Sequence, residues 1–411
     1  MYFVYNLALL VTSFTLKIIA LFHSKISLFV NGRKATFSIL ANQVSDDDQI
    51  IWIHTASLGE FEQGLPVIEQ INRHFPGYKL LITFFSPSGY EVKKDTEAAD
   101  IVCYLPLDSK NNVRKFLKQV RPKIAIFVKY EIWPNYLREL YRNQIPTILI
   151  SAIFKKDQIY FKWYGGFMRK VLKNIDHFFV QNKASDMLLN HIGYTNVTIA
   201  GDTRFDRVQA IKERDNSLEF MKNFKGENLC FVAGSTWRED EKLIVPYINS
   251  TNLGVKFVIA PHNIKKDHIE DLRKSISKKT VLFSQIDGGP LEDFEVMIVD
   301  TIGLLTKIYS YAELAFVGGG FATGLHNTLE PAVFGIPVII GPNFSGFKEA
   351  EDLVVNKGCL SLSTYEEFEK IVDAFVSNEE IRKVAGQINL SYIQKNKGAS
   401  VQIIDHLRTL L

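Results

Sequence analysis

The stretch QIIWIHTASLGEFEQGLPVIEQI, residues 49–71, places a short apolar run directly before a segment with apolar residues at helical spacing. The run predicts a buried β-strand and the following segment predicts an amphipathic helix. Ser57 and Glu60 have the spacing of a capping box, in which a serine and a glutamate bond the free amides of a new helix. Glu60 is therefore either a helix cap or a base at the carboxyl end of a strand, and the stretch alone leaves both open.

The same alternation of apolar runs and helix-like segments continues along the chain. The runs are QIIWIHT, KLLITFF, DIVCYLPL, KIAIFVKY, PTILISA, HFFVQN and VTIAGD in the first half, and NLCFVAGS, VKFVIAPH, KTVLFS, EVMIVD, LAFVGGG and PVIIGPN in the second. Strands buried on both faces that alternate with helices predict parallel sheets with right-handed crossovers. The sequence therefore predicts an α/β protein with two doubly wound, Rossmann-like domains that face a cleft.

The length of 411 residues also favours two domains, because single cores usually stop growing near about 250 to 300 residues. We predict a first domain at residues 23–206, a linker in the polar stretch 207–227 and a second domain at 228–385. Residues 386–411 have a helical pattern and no strand of their own to cover. They are predicted to form a helix that returns to the first domain.

The composition argues against several classes of protein. A net charge of +3 gives no case for a nucleic-acid binder. Cys103, Cys230 and Cys359 stand singly, without the spacing of a zinc site or a disulfide framework. The sequence also lacks HExxH and EF-hand spacings, so no required metal is expected.

Residues 1–22, MYFVYNLALLVTSFTLKIIALF, form an almost unbroken apolar stretch, and about 20 such residues are enough to span hydrocarbon. No positive charge precedes it and no small-residue cleavage site follows it, which argues against a signal peptide. Lys17 favours a shallow or peripheral helix, since a charge in hydrocarbon is costly. Lys25, Arg33 and Lys34 follow the stretch and leave the body in the cytoplasm. We predict a membrane anchor of undecided depth.

The loop after LAFVGGG carries the densest set of candidate binding residues. Gly319 and Gly320 leave backbone amides unobstructed, and Asn327, Thr328 and Glu330 follow at the start of a helix. This arrangement suits a phosphate, with Glu330 available to ribose hydroxyls. It matches neither the dinucleotide fingerprint nor a P-loop. The alternative is a glycine-rich turn that only closes a strand–helix connection, although such a turn needs fewer glycines.

Two further strand ends carry residues that suit an anion. Ser235 ends the run NLCFVAGS and Thr236 follows it, shortly before Arg238. Pro261 and His262 end the run VKFVIAPH. The first pair is either a plain helix cap or part of a phosphate site, and a lone histidine is more often structural. Three weak signals on one side of one sheet together favour a nucleotide site.

Glu131 follows the apolar strand KIAIF in the first half of the chain. A glutamate in that place is partly desolvated, which suits acid–base chemistry. The alternative is a carboxylate satisfied by an ion pair with Lys129 or Arg138.

Taken in order, six motifs resemble those of the 3-deoxy-D-manno-octulosonic acid (Kdo) transferases: HTASLGE, KYEIWPN, GDTRFD, GSTWREDE, VDTIGLLTKIYSYAELAFVGGG and GLHNTLEPAVFGIPVIIGPNFSGFKEAEDL. The resemblance spans residues about 25–400. It implies the GT-B glycosyltransferase fold and an enzyme of the inner membrane of Gram-negative bacteria, with its catalytic body on the cytoplasmic side. Such an enzyme moves Kdo from CMP-Kdo, a co-substrate, to the lipid A precursor (lipid IVA) in lipopolysaccharide core biosynthesis, without a cofactor or metal.

Carried over by position, the resemblance implies that Glu60 is the catalytic base of an inverting displacement, in which it removes the proton of the acceptor hydroxyl. The second acidic residue of the family falls on Glu131, within a shortened form of its motif. The nucleotide contacts implied by the resemblance, or expected from the loops above, are Ser235, Thr236, Arg238, Pro261, His262, Gly303, Leu304, Gly319, Gly320, Asn327, Thr328 and Glu330.

Two arginines of the family motifs are missing here, one near His262 and one shortly before Asn327. Lys265, Lys266 or Arg238 are expected to meet the phosphate charge instead. The basic residues around the anchor, namely Lys17, Lys25, Arg33 and Lys34, are expected near lipid headgroups, where they attract the phosphates of the acceptor.

Two other functions remain open from the sequence. Another GT-B enzyme, such as a UDP-sugar transferase or a sugar-nucleotide 2-epimerase, shares the fold and the glycine-rich loop, and competition between CMP and UDP separates it from a Kdo transferase. A membrane-tethered, non-catalytic nucleotide-binding regulator would use Glu60 only as a cap, so replacing that residue would alter stability and no activity.

Overall fold

The computed structural model describes residues 1–286, 288–322 and 324–411. Within them, two parallel sheets have seven strands each. The strands of the first sheet are β1 (Ile50–Thr55), β2 (Lys79–Phe84), β3 (Ile101–Tyr104), β4 (Ile124–Val128), β5 (Thr147–Ala152), β6 (His177–Val180) and β7 (Val197–Ile199). Those of the second are β8 (Cys230–Thr236), β9 (Lys256–Pro261), β10 (Thr280–Leu282), β11 (Val296–Ile298), β12 (Leu314–Val317), β13 (Val338–Ile340) and β14 (Cys359–Ser361).

Helices connect the strands throughout. They are α1 (Tyr2–Ile19), α2 (Ser24–Gly32), α3 (Thr36–Gln43), α4 (Leu58–His74), α5 (Pro87–Lys93), α6 (Lys110–Val120), α7 (Pro134–Arg142), α8 (Gly166–Leu172), α9 (Lys183–His191), α10 (Arg204–Glu213), α11 (Glu219–Lys225), α12 (Arg238–Ser250), α13 (Lys266–Ser275), α14 (Leu305–Ile308), α15 (Leu329–Ala332), α16 (Lys348–Val355), α17 (Tyr365–Ser377), α18 (Glu379–Asn396) and α19 (Ala399–Leu410). The alternation of strand and helix confirms the predicted α/β class.

The order of the strands places a reversal in each sheet. The first sheet runs β3-β2-β1-β4-β5-β6-β7 and the second runs β10-β11-β9-β8-β12-β13-β14. The chain therefore changes direction between β1 and β4 in one sheet and between β8 and β12 in the other. Doubly wound sheets bind ligands outside the carboxyl ends of the strands at such a reversal, so the loops after these four strands are the expected ligand-binding positions.

Apolar side chains cover both faces of each sheet. On β1, Ile50 and Trp52 belong to one buried cluster, while Ile51 and Ile53 belong to another on the opposite face. The alternation follows from the two-residue period of a strand. It explains why the runs are continuously apolar, as expected for strands with helices on both sides.

The chain forms two compact units, unit 1 (Met1–Arg207 with Lys397–Leu411) and unit 2 (Val208–Asn396). The main segment of unit 1 ends one residue after the predicted end at 206, whereas unit 2 begins at Val208 and ends at Asn396, beyond the predicted 228–385 on both sides. The stretch 207–227 is not an extended linker, because it contains most of α10 and all of α11, whose Met221 and Phe224 are buried in a core cluster of unit 2.

The terminal segment is also divided differently from the prediction of one helix over 386–411. Gly398, with φ +109°, separates α18 from α19, and only α19 lies in unit 1. The Asp206 carboxylate accepts the backbone amides of Gly398 and Ser400 at 2.6 and 2.7 Å. This carboxylate holds the start of α19, whose Ile403 and Leu407 are buried in the core of unit 1.

Helix α1 lies along unit 1 by one face. Tyr2, Tyr5 and Asn6 are half-buried, and the Tyr5 hydroxyl donates to the Asp108 carboxylate at 2.7 Å. Asn6 and Asn135 also exchange side-chain hydrogen bonds. The N-terminal turns of the helix are therefore bonded to the protein through polar groups.

Arg33 occupies a different place from the one expected for it near lipid headgroups. Its guanidinium donates to the backbone carbonyls of Phe29, Phe85 and Leu105 at 2.5 to 2.9 Å. Burial lowers the pKa of Arg33 to about 9. Arg33 therefore ties α2 to the loops after β2 and β3, and the expectation that it meets a phosphate is wrong.

We expect Asp108→Ala to destabilise unit 1 by about 2–5 kcal/mol. The carboxylate accepts the buried amides of Asn135 and Tyr136 at 3.0 and 2.9 Å as well as the Tyr5 hydroxyl, and each unpaired buried group costs about 1–3 kcal/mol. Urea denaturation measures the change. Asp46→Ala is the control, since Asp46 is an exposed partner of Arg121. A loss below about 1 kcal/mol would contradict this role for Asp108.

Candidate functional site

Glu60 lies in the first turn of α4, just beyond the carboxyl end of β1. The Ser57 side chain makes no cap bond, so the predicted capping box is only half formed. Glu60 Oε2 instead accepts the backbone amide of Ala56 at 2.5 Å. The glutamate is therefore bonded to the backbone at the turn from β1 into α4.

Glu131 follows β4, the neighbour of β1 at the strand reversal. Its Oε2 accepts the indole N–H of Trp133 at 2.9 Å and lies 3.1 Å from Nε2 of His54. That contact is attractive only when Nε2 carries a proton, because a carboxylate has no proton to donate. The alternative partners Lys129 and Arg138 form no described ion pair with Glu131, within residues 1–286, 288–322 and 324–411.

The fully buried His54 holds this arrangement from within the sheet. It lies on β1, and its Nδ1 is 2.9 Å from the Thr83 hydroxyl and 3.0 Å from the Thr83 carbonyl on β2. The pairing of β1 with both β2 and β4 thus fixes the imidazole between Thr83 and Glu131. The position of the Glu131 carboxylate therefore depends on His54 from β1 and, through it, on Thr83 from β2.

Glu60 and Glu131 interact through their charges. Burial, and after it the negative charge of Glu131, raises the pKa of Glu60 to about 7. Hydrogen bonds from the Ala56 and Ser57 amides act in the opposite direction. A carboxyl group with a pKa near neutrality takes up a proton more readily than an ordinary glutamate, which is the property required of a general base.

In unit 2, the glycine-rich loop after β12 folds back on itself beside β8. Gly319 has φ +92°, and a Cβ at this position would lie 2.1 Å from the carbonyl oxygen of Gly324. A Cβ on Gly320 would lie 2.7 Å from the backbone nitrogen of Gly341. Glycine is therefore required at both positions for steric reasons.

Asp240 supports this turn from the first turn of α12. Its Oδ2 accepts the amides of Gly319 and Trp237 at 2.9 and 2.8 Å. The residue is fully buried, and burial raises the pKa of its carboxyl group. Asp240 therefore connects the end of β8 to the loop after β12, the two segments that meet at the strand reversal.

A stack of three rings stands next to the glycine-rich loop. The Trp237 and His262 rings are stacked with centroids 4.5 Å apart, and His262 lies 4.7 Å from His326. The Trp237 indole donates to Nε2 of His326 at 3.1 Å. Burial, followed by the effect of His262, lowers the pKa of His326. The loops after β8, β9 and β12 thus meet through aromatic rings.

The remaining predicted residues of unit 2 lie at several positions. Thr236 donates to the buried Glu241, and Ser235 has φ +54° at the end of β8. Arg238 is exposed and paired with Asp271 at 2.9 Å. The other three are Pro261, which ends β9, Gly303, which has φ +99° in an exposed turn, and Leu304, which precedes α14.

Three predicted residues gather at the start of α15. Asn327 donates to the Glu330 carboxylate at 3.1 Å and accepts the amide of Leu329 at 3.2 Å. Thr328 is 1% exposed, and its hydroxyl has no hydrogen-bond partner among the residues that the structure describes. An unpaired buried hydroxyl is uncommon, and it lies beside the Asn327–Glu330 pair at the start of α15.

Sequence reasoning missed His54, Trp237, Asp240 and His326. The sequence did contain one signal for His54, since a histidine inside an apolar strand needs a buried partner. The contacts of Trp237 with His326 and of Asp240 with Gly319 join segments that are far apart in the chain, so the sequence contained no signal for them. Within the described ranges, no group of three His, Cys, Asp or Glu side chains is placed to hold a metal ion.

Among the described residues, one helix is long and apolar enough to cross a membrane, judged by length and composition. It is α1, Tyr2–Ile19. None of its residues is fully buried in the protein.

Two known structures show the fold of this chain in other proteins. The UDP-GlcNAc 2-epimerase from Neisseria meningitidis bound to UDP-GlcNAc matches with a TM-score of 0.63, 14% identity and coverage of 88% of this chain and 100% of that one. MurG from Acinetobacter baumannii matches with a TM-score of 0.54, 10% identity and coverage of 88% and 99%. These likenesses are to the fold alone and confirm the expected GT-B fold.

The family model described as 3-deoxy-D-manno-octulosonic-acid transferase (kdotransferase) matches residues 31–207. The curated 3-deoxy-D-manno-octulosonic acid transferase of Haemophilus influenzae is 26% identical over 398 residues, which are 91% of this chain and 90% of the relative. The one from Aquifex aeolicus is 29% identical over 315 residues, with coverage of 75% and 80%. With the fold and the motif order, these matches confirm the resemblance of this chain to the Kdo transferases.

Proposed function

We propose that this chain transfers Kdo from CMP-Kdo to a lipid A precursor, with inversion at the anomeric carbon, at the cytoplasmic face of the inner membrane. The observation that carries the proposal is Glu60, a half-buried carboxyl group at the strand reversal of unit 1 whose pKa is raised to about 7. The relatives supply the chemical class of donor.

Glu60 acts as the general base of this reaction. An acceptor hydroxyl near the Glu60 carboxylate loses its proton to Glu60 as it attacks the anomeric carbon of Kdo, and CMP leaves from the opposite face. Oε2 stays bonded to the Ala56 amide, so the carboxylate keeps its orientation through the reaction. Glu131 does not compete for the same proton, because its Oε2 is engaged by Trp133 and His54.

Unit 2 holds the donor through the loops after β8, β9 and β12. The glycine-rich turn, whose shape is fixed by close backbone packing at Gly319 and Gly320, borders this site, and the Asn327–Glu330 pair supplies polar contacts. Arg238 is already paired with Asp271. The exposed Lys265 and Lys266 at the start of α13 are therefore the favoured cations for the CMP phosphate.

Transfer assays with the purified chain test this proposal directly. The donor is CMP-Kdo, the acceptor is tetraacylated lipid A precursor, and the product is measured by mass. Excess CMP is expected to inhibit the reaction and UDP is not. Inhibition by UDP with no transfer from CMP-Kdo would instead support another GT-B nucleotide-sugar enzyme.

We expect Glu131→Gln to move the acid limb of the pH–rate profile to lower pH. The base works when deprotonated, so the rate falls as the pH drops through the pKa of Glu60. The Glu131 charge raises that pKa, and its removal lowers it. Above pH 8 the rate is expected to fall less than about 100-fold, since loss of a general base typically costs about 10²–10⁴. An unchanged acid limb would contradict the coupling of the two carboxylates.

A further inference from the structure

The face of α1 that points away from unit 1 is mostly apolar, although Thr12, Thr15 and Lys17 are also exposed. Half-buried residues recur at helical spacing on the docked face, from Tyr2 through Leu9 to Leu16. The opposite face leaves a set of large apolar side chains 47–79% exposed: Phe3, Val4, Leu7, Leu10, Val11, Phe14 and Ile18. A helix docked on its protein by one face and apolar on the other has the character of an interfacial helix.

A second exposed apolar group lies in the loop between β5 and α8. Trp163 is 91% exposed, Tyr164 58% and Ile159 43%. Tyr160 and Phe161, from the same loop, point inward and pack on Phe154. The loop therefore has an anchored inner side and an outer side made of large apolar side chains.

This loop is built to hold its shape. The Arg169 guanidinium on α8 donates to the carbonyls of Tyr160 and Lys162 at 3.0 and 2.7 Å. The Gly165 amide closes a turn onto the Lys162 carbonyl at 2.9 Å. A Cβ on Gly165 would lie 1.7 Å from the carbonyl oxygen of Ile159, so the two ends of the loop touch. Trp163 and Tyr164 are thus presented on a braced turn.

The loop and α1 are linked through Phe167 on α8. The Phe167 ring meets the Tyr2 ring edge-on at 5.0 Å between centroids, and the Tyr5 ring at 6.1 Å. Phe167 is four residues from Trp163. The loop therefore leads directly into the helix that packs against α1.

The charges around the loop indicate which kind of partner this surface binds. Residues 155–173 contain Lys155, Lys156, Lys162, Lys170 and Lys173 against one acidic residue, Asp157. Tryptophan and tyrosine favour the headgroup region of a bilayer, and each lysine near an anionic surface adds attraction. We propose that the segment 155–164 is a second membrane-contacting element of unit 1, which inserts Trp163 and Tyr164 into the headgroup region of an anionic bilayer beside α1.

Vesicle binding by the full chain tests the proposal without any measurement of sugar transfer, so its failure is distinct from a failure of the proposed function. On vesicles of phosphatidylethanolamine and phosphatidylglycerol, W163A/Y164A is expected to weaken partitioning by about tenfold. Val355→Ala, which truncates an exposed apolar side chain of unit 2, should leave it unchanged. Replacing Lys155, Lys156 and Lys162 by glutamine should weaken binding to these vesicles and not to pure phosphatidylcholine.

Fluorescence locates Trp163 directly. Lipids brominated near the headgroup are expected to quench part of the tryptophan emission of the wild type, and W163F should remove that part. Equal quenching in both proteins would overturn the proposal. So would unchanged vesicle binding by W163A/Y164A together with a smaller oligomer in solution, because a second copy of the chain would then be the partner of this surface.

Discussion

Glutamine at position 60 is expected to reduce Kdo transfer by about 10²–10⁴, the contribution typical of a general base. The side-chain amide keeps an oxygen that accepts the Ala56 amide, as Oε2 does now at 2.5 Å. It cannot accept the hydroxyl proton. Transfer is measured at pH 8, above the pKa of about 7 of the wild-type group, so that the wild-type base is ionised. KM for CMP-Kdo should change little, because the donor loops lie in unit 2.

Stability separates the two roles of Glu60. Burial and the Glu131 charge disfavour the ionised form of Glu60 in the folded protein, so the neutral glutamine should be no less stable at pH 8. Glu62→Gln is the matched control on the same helix, since Glu62 is a surface partner of Lys93, and it should keep full activity. An active, destabilised Glu60→Gln would mean that Glu60 is only a cap and would make Glu131 the candidate base.

The sequence predicted the two sheets well, because strands covered on both faces must be apolar throughout. The runs QIIWIHT and KIAIFVKY became β1 and β4, and residues that follow such strands fall at the ligand-binding edge of a parallel sheet. Glu60 and Glu131 could be selected from the sequence on that ground. The same reasoning selected the glycine-rich loop after β12.

Contacts between distant segments could not be predicted. His54 holds Glu131 only because β1 pairs with both β2 and β4, and the strand order is not written in any one stretch of sequence. Arg33 was expected at lipid headgroups because it follows an apolar segment, but three backbone carbonyls bind it. The boundary near 396 was missed because Gly398 stands inside a helical pattern that is otherwise continuous.

Alanine at position 319 is expected to weaken CMP binding by about 100-fold or more and to destabilise unit 2 by about 1–3 kcal/mol. The new methyl group would lie 2.1 Å from the carbonyl oxygen of Gly324, at a φ of +92° that side chains rarely adopt. The loop must then move, and with it the amide that Asp240 holds at 2.9 Å. Titration calorimetry with CMP and thermal melting measure the two effects.

Gly254→Ala distinguishes the steric clash from backbone strain. Gly254 also has a positive φ, +65°, but no atom lies within 4 Å of the place that an alanine methyl group would take, and it precedes β9 at the opposite end of the sheet from the binding loops. The Gly254→Ala variant should lose about 1–2 kcal/mol of stability, which is the cost of a left-handed conformation for an L-residue. It should bind CMP like the wild type. If Gly319→Ala also binds CMP normally, the nucleotide does not rest on this loop. The proposed close approach of the nucleotide to the glycine-rich turn would then be wrong, and the donor site would have to lie around Ser235 and Gly303 instead.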